Sequence, residues 1–283
     1  MTEIVAHRGS RINRPENTLA AFEEAVRVGA DGIELDIHLS KDGEVVVIHD
    51  ETVDRTTDGC GWVSQMTVAD LKELDAGAWF DADFAGEKIP TLWEVFELLE
   101  EKEFKGCLNI ELKTGKEPYP GMEQKVKDLL DKRNWPFEVM YSSFSLWALL
   151  RMHRLDPVAE VAYLVKKSHF LVFVGRFMPW ITSLHLSHKW YFHHLFHSRK
   201  HLRLWTVNDE RVMKKAFQSN VRAIITDKPE TAIRLRNPNF KLKLATHKKF
   251  TRRLVVQAFF RVIINPIFDK SDFFQSRFLG SFW

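Results

Sequence analysis

The chain reads as an α/β protein, a TIM (β/α)8 barrel with an inserted β-hairpin strand, a small loop and helix insertion, and a basic C-terminal extension. Three observations predict it. Eight β-type segments, near residues 4, 33, 109, 140, 161, 182, 203 and 223, alternate with helical patterns, the repeat such a barrel needs. Charged side chains stand at or near the C-terminal ends of the first three segments, where that fold gathers its functional loops. The valine-rich stretch from Glu44 to Ile48 follows the second segment after only Ser40-Lys41-Asp42-Gly43. That link is too short for a parallel crossover, so the pair must be an antiparallel hairpin. A doubly wound open sheet is the competing architecture.

The elements follow in order. A strand covers Glu3 to Ala6. Pro15-Glu16-Asn17-Thr18 opens a helix to about Val28, with Asn17 or Thr18 as its cap and Gly29 as its stop. The hairpin comes next, then looser chain from 51 to 90 holding one short capped helix, Thr67 to Leu74. Thr91 to Glu103 is amphipathic, with Leu92, Val95, Phe96 and Leu99 on one side. Strands then recur from Cys107, Val139, Glu160, Ile181, Leu202 and Ala223, with helices from about Met122 and Ser145 and helical patterns beyond. The barrel is expected over residues 1–237 and the extension over 238–283.

Totals narrow the class. A net charge of +3 argues against a nucleic-acid partner. It hides an asymmetry: nine Lys and Arg against two Asp follow Asn237, and 32 against 36 Asp and Glu precede Pro238. Cys60 and Cys107 make no disulfide framework. With no leader-like start and no apolar run of membrane-spanning length, a cytoplasmic place is expected.

The chemistry concentrates in Gly32 to Asp50 together with His7 and Arg8. Glu34, Asp36 and His38 alternate with Ile33, Leu35 and Ile37, so the carboxylates share one strand face and the aliphatics the other. Buried charges must be paired or coordinate something, and a metal ion is the usual reason for two acids on an inner face. Salt bridges at the strand end are the plainer alternative. The hairpin returns His49 and Asp50 to Glu34 and Asp36. Glu111 and Lys113 repeat the pattern on the third segment. Three carboxylates, Glu34, Asp36 and Glu111, form a hard oxygen site suited to one divalent cation, Ca²⁺ or Mg²⁺. Two histidines supply one base and one acid. Arg8 and Lys113 add positive charge around the same point, as a phosphoryl group requires, although Lys113 could simply pair with Glu111. Metal-assisted cleavage of a phosphate ester follows.

At these residues the chain resembles a known family. Ala6-His7-Arg8-Gly9, Pro15-Glu16-Asn17-Thr18, Glu34-x-Asp36, Lys41-Asp42-Gly43, His49-Asp50, Glu111-x-Lys113, Trp205-Thr206-Val207-Asn208 and Thr226-Asp227-Lys228-Pro229 are similar to the motifs of glycerophosphodiester phosphodiesterases. The resemblance spans about residues 3 to 236. It implies a TIM barrel hydrolysing glycerophosphodiesters to glycerol 3-phosphate and an alcohol with a divalent cation. It implies that Glu34, Asp36 and Glu111 hold the metal, that His7 and His49 are the acid-base pair, and that Arg8 and Lys113 meet the phosphate. His7 is taken as base and His49 as acid, an order the sequence does not fix. Asp50 orients a histidine or caps a turn. Trp205 lines the substrate pocket or packs in the barrel. Glu16 organises the helix start and Arg8, and His38, further along its strand, is expected to be exposed. A lysophospholipase D-like or teichoic-polymer-directed phosphodiesterase at a membrane is the alternative enzyme, and a non-catalytic phospholipid-binding barrel the alternative outside catalysis.

Two signals are set aside. His185, His188, His193, His194, His197 and His201 are rich in imidazole but lack the spacing of a zinc site. The Asp-Gly turns lack EF-hand spacing. The extension, basic from Lys241 to Arg253 and apolar from Leu254 to Ile264, either meets an anionic inner membrane face peripherally or packs on the barrel or on a second copy in a homodimer. The apolar run from Phe170 to Trp180 borders a lipid-accepting mouth or is a buried outer helix.

Overall fold

A computed structural model describes residues 1–115, 117–194 and 198–237. The basic extension and His197 lie outside the described residues. The chain opens with β1 (Glu3–His7), α1 (Leu19–Val28), β2 (Gly32–Leu39) and β3 (Val45–Val47). An insertion carries α2 (Val68–Glu73), followed by α3 (Leu92–Glu101). Strict alternation then runs through β4 (Cys107–Leu112), α4 (Met122–Leu130), β5 (Glu138–Ser143), α5 (Leu146–Leu155), β6 (Glu160–Val165) and α6 (His169–Phe177). It ends with β7 (Ser183–Ser187), α7 (His188–His193), β8 (His201–Trp205), α8 (Glu210–Phe217), β9 (Ala223–Thr226) and α9 (Pro229–Arg236).

Eight strands pair in parallel in the order β1-β9-β8-β7-β6-β5-β4-β2, and β1 pairs β2 to close the barrel. The expected barrel is therefore present and the open sheet is not. β3 stands outside it, antiparallel to the far half of β2, with Ile37 opposite Val47 and Leu39 opposite Val45. Gly43 makes the intervening turn at φ 81°, a left-handed conformation that a side chain resists.

Local chemistry sets the boundaries. Thr18 caps α1 by accepting from the Ala21 N–H, and Gly29 ends it at φ 82°. Thr91 and Glu94 form a reciprocal capping box on α3, and Thr67 and Asp70 do the same for α2. Outward residues of the sheet, Ile33, Leu35, Ile37, Leu108 and Ile110, pack with Phe22, Leu92, Val95, Phe96 and Leu99 from the helices. Each such side chain is fully buried, worth about 1.5–3 kcal/mol relative to exposure.

The insertion has an apolar cluster of its own. Val46, Ile48, Val53, Val63, Leu71, Ala76 and Ile89 form it, separate from the barrel's main core. Ile48 donates its N–H to the Asp36 carbonyl, which fixes His49 and Asp50 beside the mouth. No helix among the described residues is long and apolar enough to cross a membrane.

One expectation fails here. His38 is not exposed: it is fully buried, its Nδ1 2.9 Å from the Tyr119 hydroxyl and its Nε2 3.1 Å from the His49 carbonyl. β3 and Tyr119 roof the end of β2, so the last inward position of the strand lies under cover. Burial pushes the His38 imidazole down to about 4, keeping it neutral.

Candidate active site

The turn after β1 builds one wall. Arg8 and Gly9 take consecutive positive φ values, 56° and 77°. A Cβ on Gly9 would lie 2.6 Å from the Ala21 carbonyl carbon, so only glycine lets the turn sit against α1. The strained Arg8 backbone places its N–H 2.9 Å from Glu34 Oε2. Its guanidinium reaches Glu16 Oε1 at 2.7 Å and Asp36 Oδ2 at 3.3 Å. Asn17, also at φ 56°, donates Nδ2–H to Asp36 Oδ2 at 2.9 Å.

Register assembles the rest. β2 and β4 run side by side with Glu34 opposite Asn109 and Asp36 opposite Glu111. One carboxylate oxygen from each of Glu34, Asp36 and Glu111 lies within 4.8 Å of the others, all three residues being buried. Lys113 Nζ sits 2.7 Å from Glu111 Oε1 and 3.0 Å from Asp36 Oδ1. Lys113 thus does pair with Glu111, and with Asp36 too.

The electrostatics are uneven. Burial, then the charges of Asp36 and Glu111, raise the Glu34 carboxyl well above its ordinary range. Burial also raises Glu111, reinforced by Asp36 and opposed by Lys113. Burial would raise Asp36 as well, but Lys113 and Arg8 outweigh it and hold Asp36 below its ordinary value. Three clustered acids of which two resist ionisation are a site with too little positive charge. An added cation would relieve that, and all-carboxylate oxygen donors suit a hard divalent ion. The residues present therefore fit a metal.

Each candidate histidine is held by an aspartate. His7 Nδ1 is 2.6 Å from Asp227 Oδ1, and His49 Nδ1 is 2.5 Å from Asp50 Oδ1. Both rings therefore keep Nε2 for other work. Burial lowers His7, with Asp227 pulling back upward; burial lowers His49, with Asp36 opposing and Lys113 and Arg8 assisting. Asp50 also accepts from Arg55 Nε at 2.6 Å, and Asp227 from Asn208 Nδ2 at 2.6 Å. Of the two roles open to Asp50, orienting a histidine is the one seen.

Glu16 gathers Arg8, Arg11 and Arg55 within 2.8 Å, which brings the carboxyl to about 2 despite its burial. It organises Arg8, as the sequence suggested, and Arg11 and Arg55 besides. Trp205 lines the cavity, donating Nε1–H to the His185 carbonyl at 3.0 Å, with Phe144 edge-on to its ring. The histidine-rich stretch disperses: His185 points into the barrel, His194 meets the Trp190 carbonyl and His201 meets Glu160. Asp227, Arg11 and Arg55 carried no predicted role. Asp227 had two available signals, its place just past the last strand and its position in the Thr226-Asp227-Lys228-Pro229 motif.

Comparison with known proteins gives the family. The glycerophosphoryl diester phosphodiesterase family matches residues 7–178. A glycerophosphodiester phosphodiesterase of Caldanaerobacter subterraneus subsp. tengcongensis is 42% identical over 245 residues, 83% of this chain and 97% of that relative. The chain belongs to the glycerophosphoryl diester phosphodiesterase family. Another member, from Bacillus altitudinis, is 38% identical over 83% of this chain and 98% of its own length. Among solved structures, an Oleispira antarctica phosphodiesterase in complex with the product sn-glycerol-3-phosphate superposes with a TM-score of 0.72 at 30% identity, covering 83% of this chain and 96% of that one. The family match begins at His7 and includes the three acids, Lys113 and His49, while Trp205 and Asp227 lie beyond it.

Proposed function

We propose that the protein hydrolyses glycerophosphodiesters to glycerol 3-phosphate and an alcohol, with a divalent cation held by Glu34, Asp36 and Glu111 and with His7 and His49 moving the protons. By family it is a phosphoric diester hydrolase. The observation that carries the finer reading is the three-carboxylate cluster flanked by two aspartate-held imidazoles. A cation there, Ca²⁺ or Mg²⁺, would supply Lewis-acid polarisation of the phosphoryl oxygens. Arg8 and Lys113 bind and orient the diester. His7, its Nδ1–H directed at Asp227, takes the proton of the attacking water or glycerol 2-hydroxyl on Nε2. A P–O bond forms to that oxygen as the bond to the leaving alcohol breaks; where the 2-hydroxyl attacks, water then opens the resulting cyclic phosphate to glycerol 3-phosphate. His49, nearer the open mouth, protonates the departing alkoxide; its side chain is 29% exposed against 14% for His7.

A coupled assay for glycerol 3-phosphate released from glycerophosphocholine tests this. Release should stop with a chelator and return with Mg²⁺ or Ca²⁺. No release with either ion saturating would overturn the proposal. A lipid-linked alcohol is the second reading, favoured by the exposed Phe170, Phe173 and Phe177 along α6. A lysolipid arm of the same assay, with anionic vesicles, decides whether such an alcohol and a peripheral membrane contact are used.

The raised Glu34 carboxyl has a measurable corollary. It holds its proton to higher pH than an ordinary glutamate, and a cation favours its charged form, so metal binding should release protons and weaken as pH falls. Calorimetry in two buffers of different ionisation enthalpy should return different apparent heats. Identical heats near neutral pH would contradict it.

A further inference from the structure

The cavity holds polar groups that the mechanism leaves unused. His185 on β7 is fully buried, and neither ring nitrogen has a hydrogen-bond partner. Ser142 Oγ on β5 and Asn109 Oδ1 on β4 are buried in the same condition. All three line the cavity of about 110 Å³ that His7, Glu34 and Glu111 also line. Asn109 lies one inward position deeper than Glu111 on the same strand. An unpaired buried polar group costs about 1–3 kcal/mol, and folded proteins leave few of them. Several around one cavity mark a place where a ligand completes the bonds.

Their chemistry describes that ligand. Burial, helped by Arg203, pushes His185 down to about 3, so its ring is neutral and offers one N–H and one lone pair. Arg203 is itself engaged by Glu160 and Ser183. Ser142 can donate or accept, and Asn109 Oδ1 accepts. None of the three carries charge. Leu164 and Trp205 supply carbon walls beside them. The match is a short carbon chain bearing hydroxyl groups, small enough for a closed end of this volume.

Resting on the reading proposed above, we propose that His185, with Ser142 and Asn109, forms the floor that reads the hydroxyl groups of the glycerol half of the diester. The open side by Phe144, exposed and lining the cavity, is left to the variable alcohol.

Calorimetric titration of the full chain with sn-glycerol 3-phosphate and with inorganic phosphate, in Mg²⁺, tests the floor. Wild-type protein should prefer glycerol 3-phosphate. His185→Leu should reduce that preference roughly tenfold to a hundredfold, the scale of lost hydrogen bonds to a buried site. The ratio of kcat/KM for glycerophosphocholine over bis(p-nitrophenyl) phosphate should fall by a similar factor. Thermal stability should hold or rise, because leucine removes two unsatisfied nitrogens. Should that variant not fold, Ser142→Ala makes the same comparison with a smaller expected loss. No wild-type preference, or an equal loss on both ligands, overturns the assignment. Selective binding that depends on His185, without release of glycerol 3-phosphate from any diester, would overturn the proposed activity and leave the floor standing. Hydrolysis with binding indifferent to His185 and Ser142 would do the reverse.

Discussion

Glu34→Gln is expected to lower turnover by about 10³-fold or more while the protein stays folded. The amide keeps the volume of the side chain, and its carbonyl oxygen can still accept the Arg8 N–H that now reaches Glu34 Oε2 at 2.9 Å. What disappears is one of three carboxyl groups whose oxygens lie within 4.8 Å of one another, and with it a charge the cation would draw out. A cation polarising phosphoryl oxygens contributes several kcal/mol to the transition state, and about 1.4 kcal/mol is a decade in rate. Stability should move the other way. Glu34 is the carboxyl that burial and its two acidic neighbours most disfavour in the charged state, so a neutral residue relieves repulsion. Turnover at saturating cation and the thermal midpoint, measured together, check both halves. Near wild-type turnover would remove Glu34 from the metal set.

His49→Ala should cost about 10²–10⁴-fold on glycerophosphocholine, the usual range for one proton transfer. The same change should cost much less on a p-nitrophenyl ester, whose phenolate departs without a proton. His7→Ala should lose comparably on both, since the attacking oxygen must be deprotonated whatever leaves. Opposite behaviour of the two variants would exchange their roles, and near wild-type turnover of His49→Ala would remove it from the pair.

Much of this architecture was legible in the chain because its signals are local. Period-two alternation in Ile33 to Ile37 and in Leu108 to Leu112 put acids on one face and aliphatics on the other, and the pairing of β2 with β4 brings the acids together. The short Ser40 to Gly43 link required an antiparallel partner, and β3 is one. The failures are long-range. His38 is covered by Tyr119, 81 positions away, a contact no strand pattern encodes. Asp227 reaches His7 across 220 positions only because β9 closes onto β1. His185 belongs to a histidine-rich stretch without zinc-site spacing, and only its inward position on β7 separates it from exposed His194 and His201.

The two imidazoles belong to different bodies of packing. His7 rides on the barrel wall, whereas His49 hangs from the insertion whose small cluster includes Val53, Val63 and Leu71. Regions with small cores open at lower free energy than the global fold. Warming the protein is therefore expected to bring a stage at which the barrel is intact but His49, one of the two proposed proton carriers, has drifted out of alignment. Heat tolerance of the activity should then follow that minor cluster rather than the eight-stranded frame: Leu71→Ala is expected to lower the temperature at which activity is lost more than the midpoint of global unfolding, and an equal fall in both would refute it.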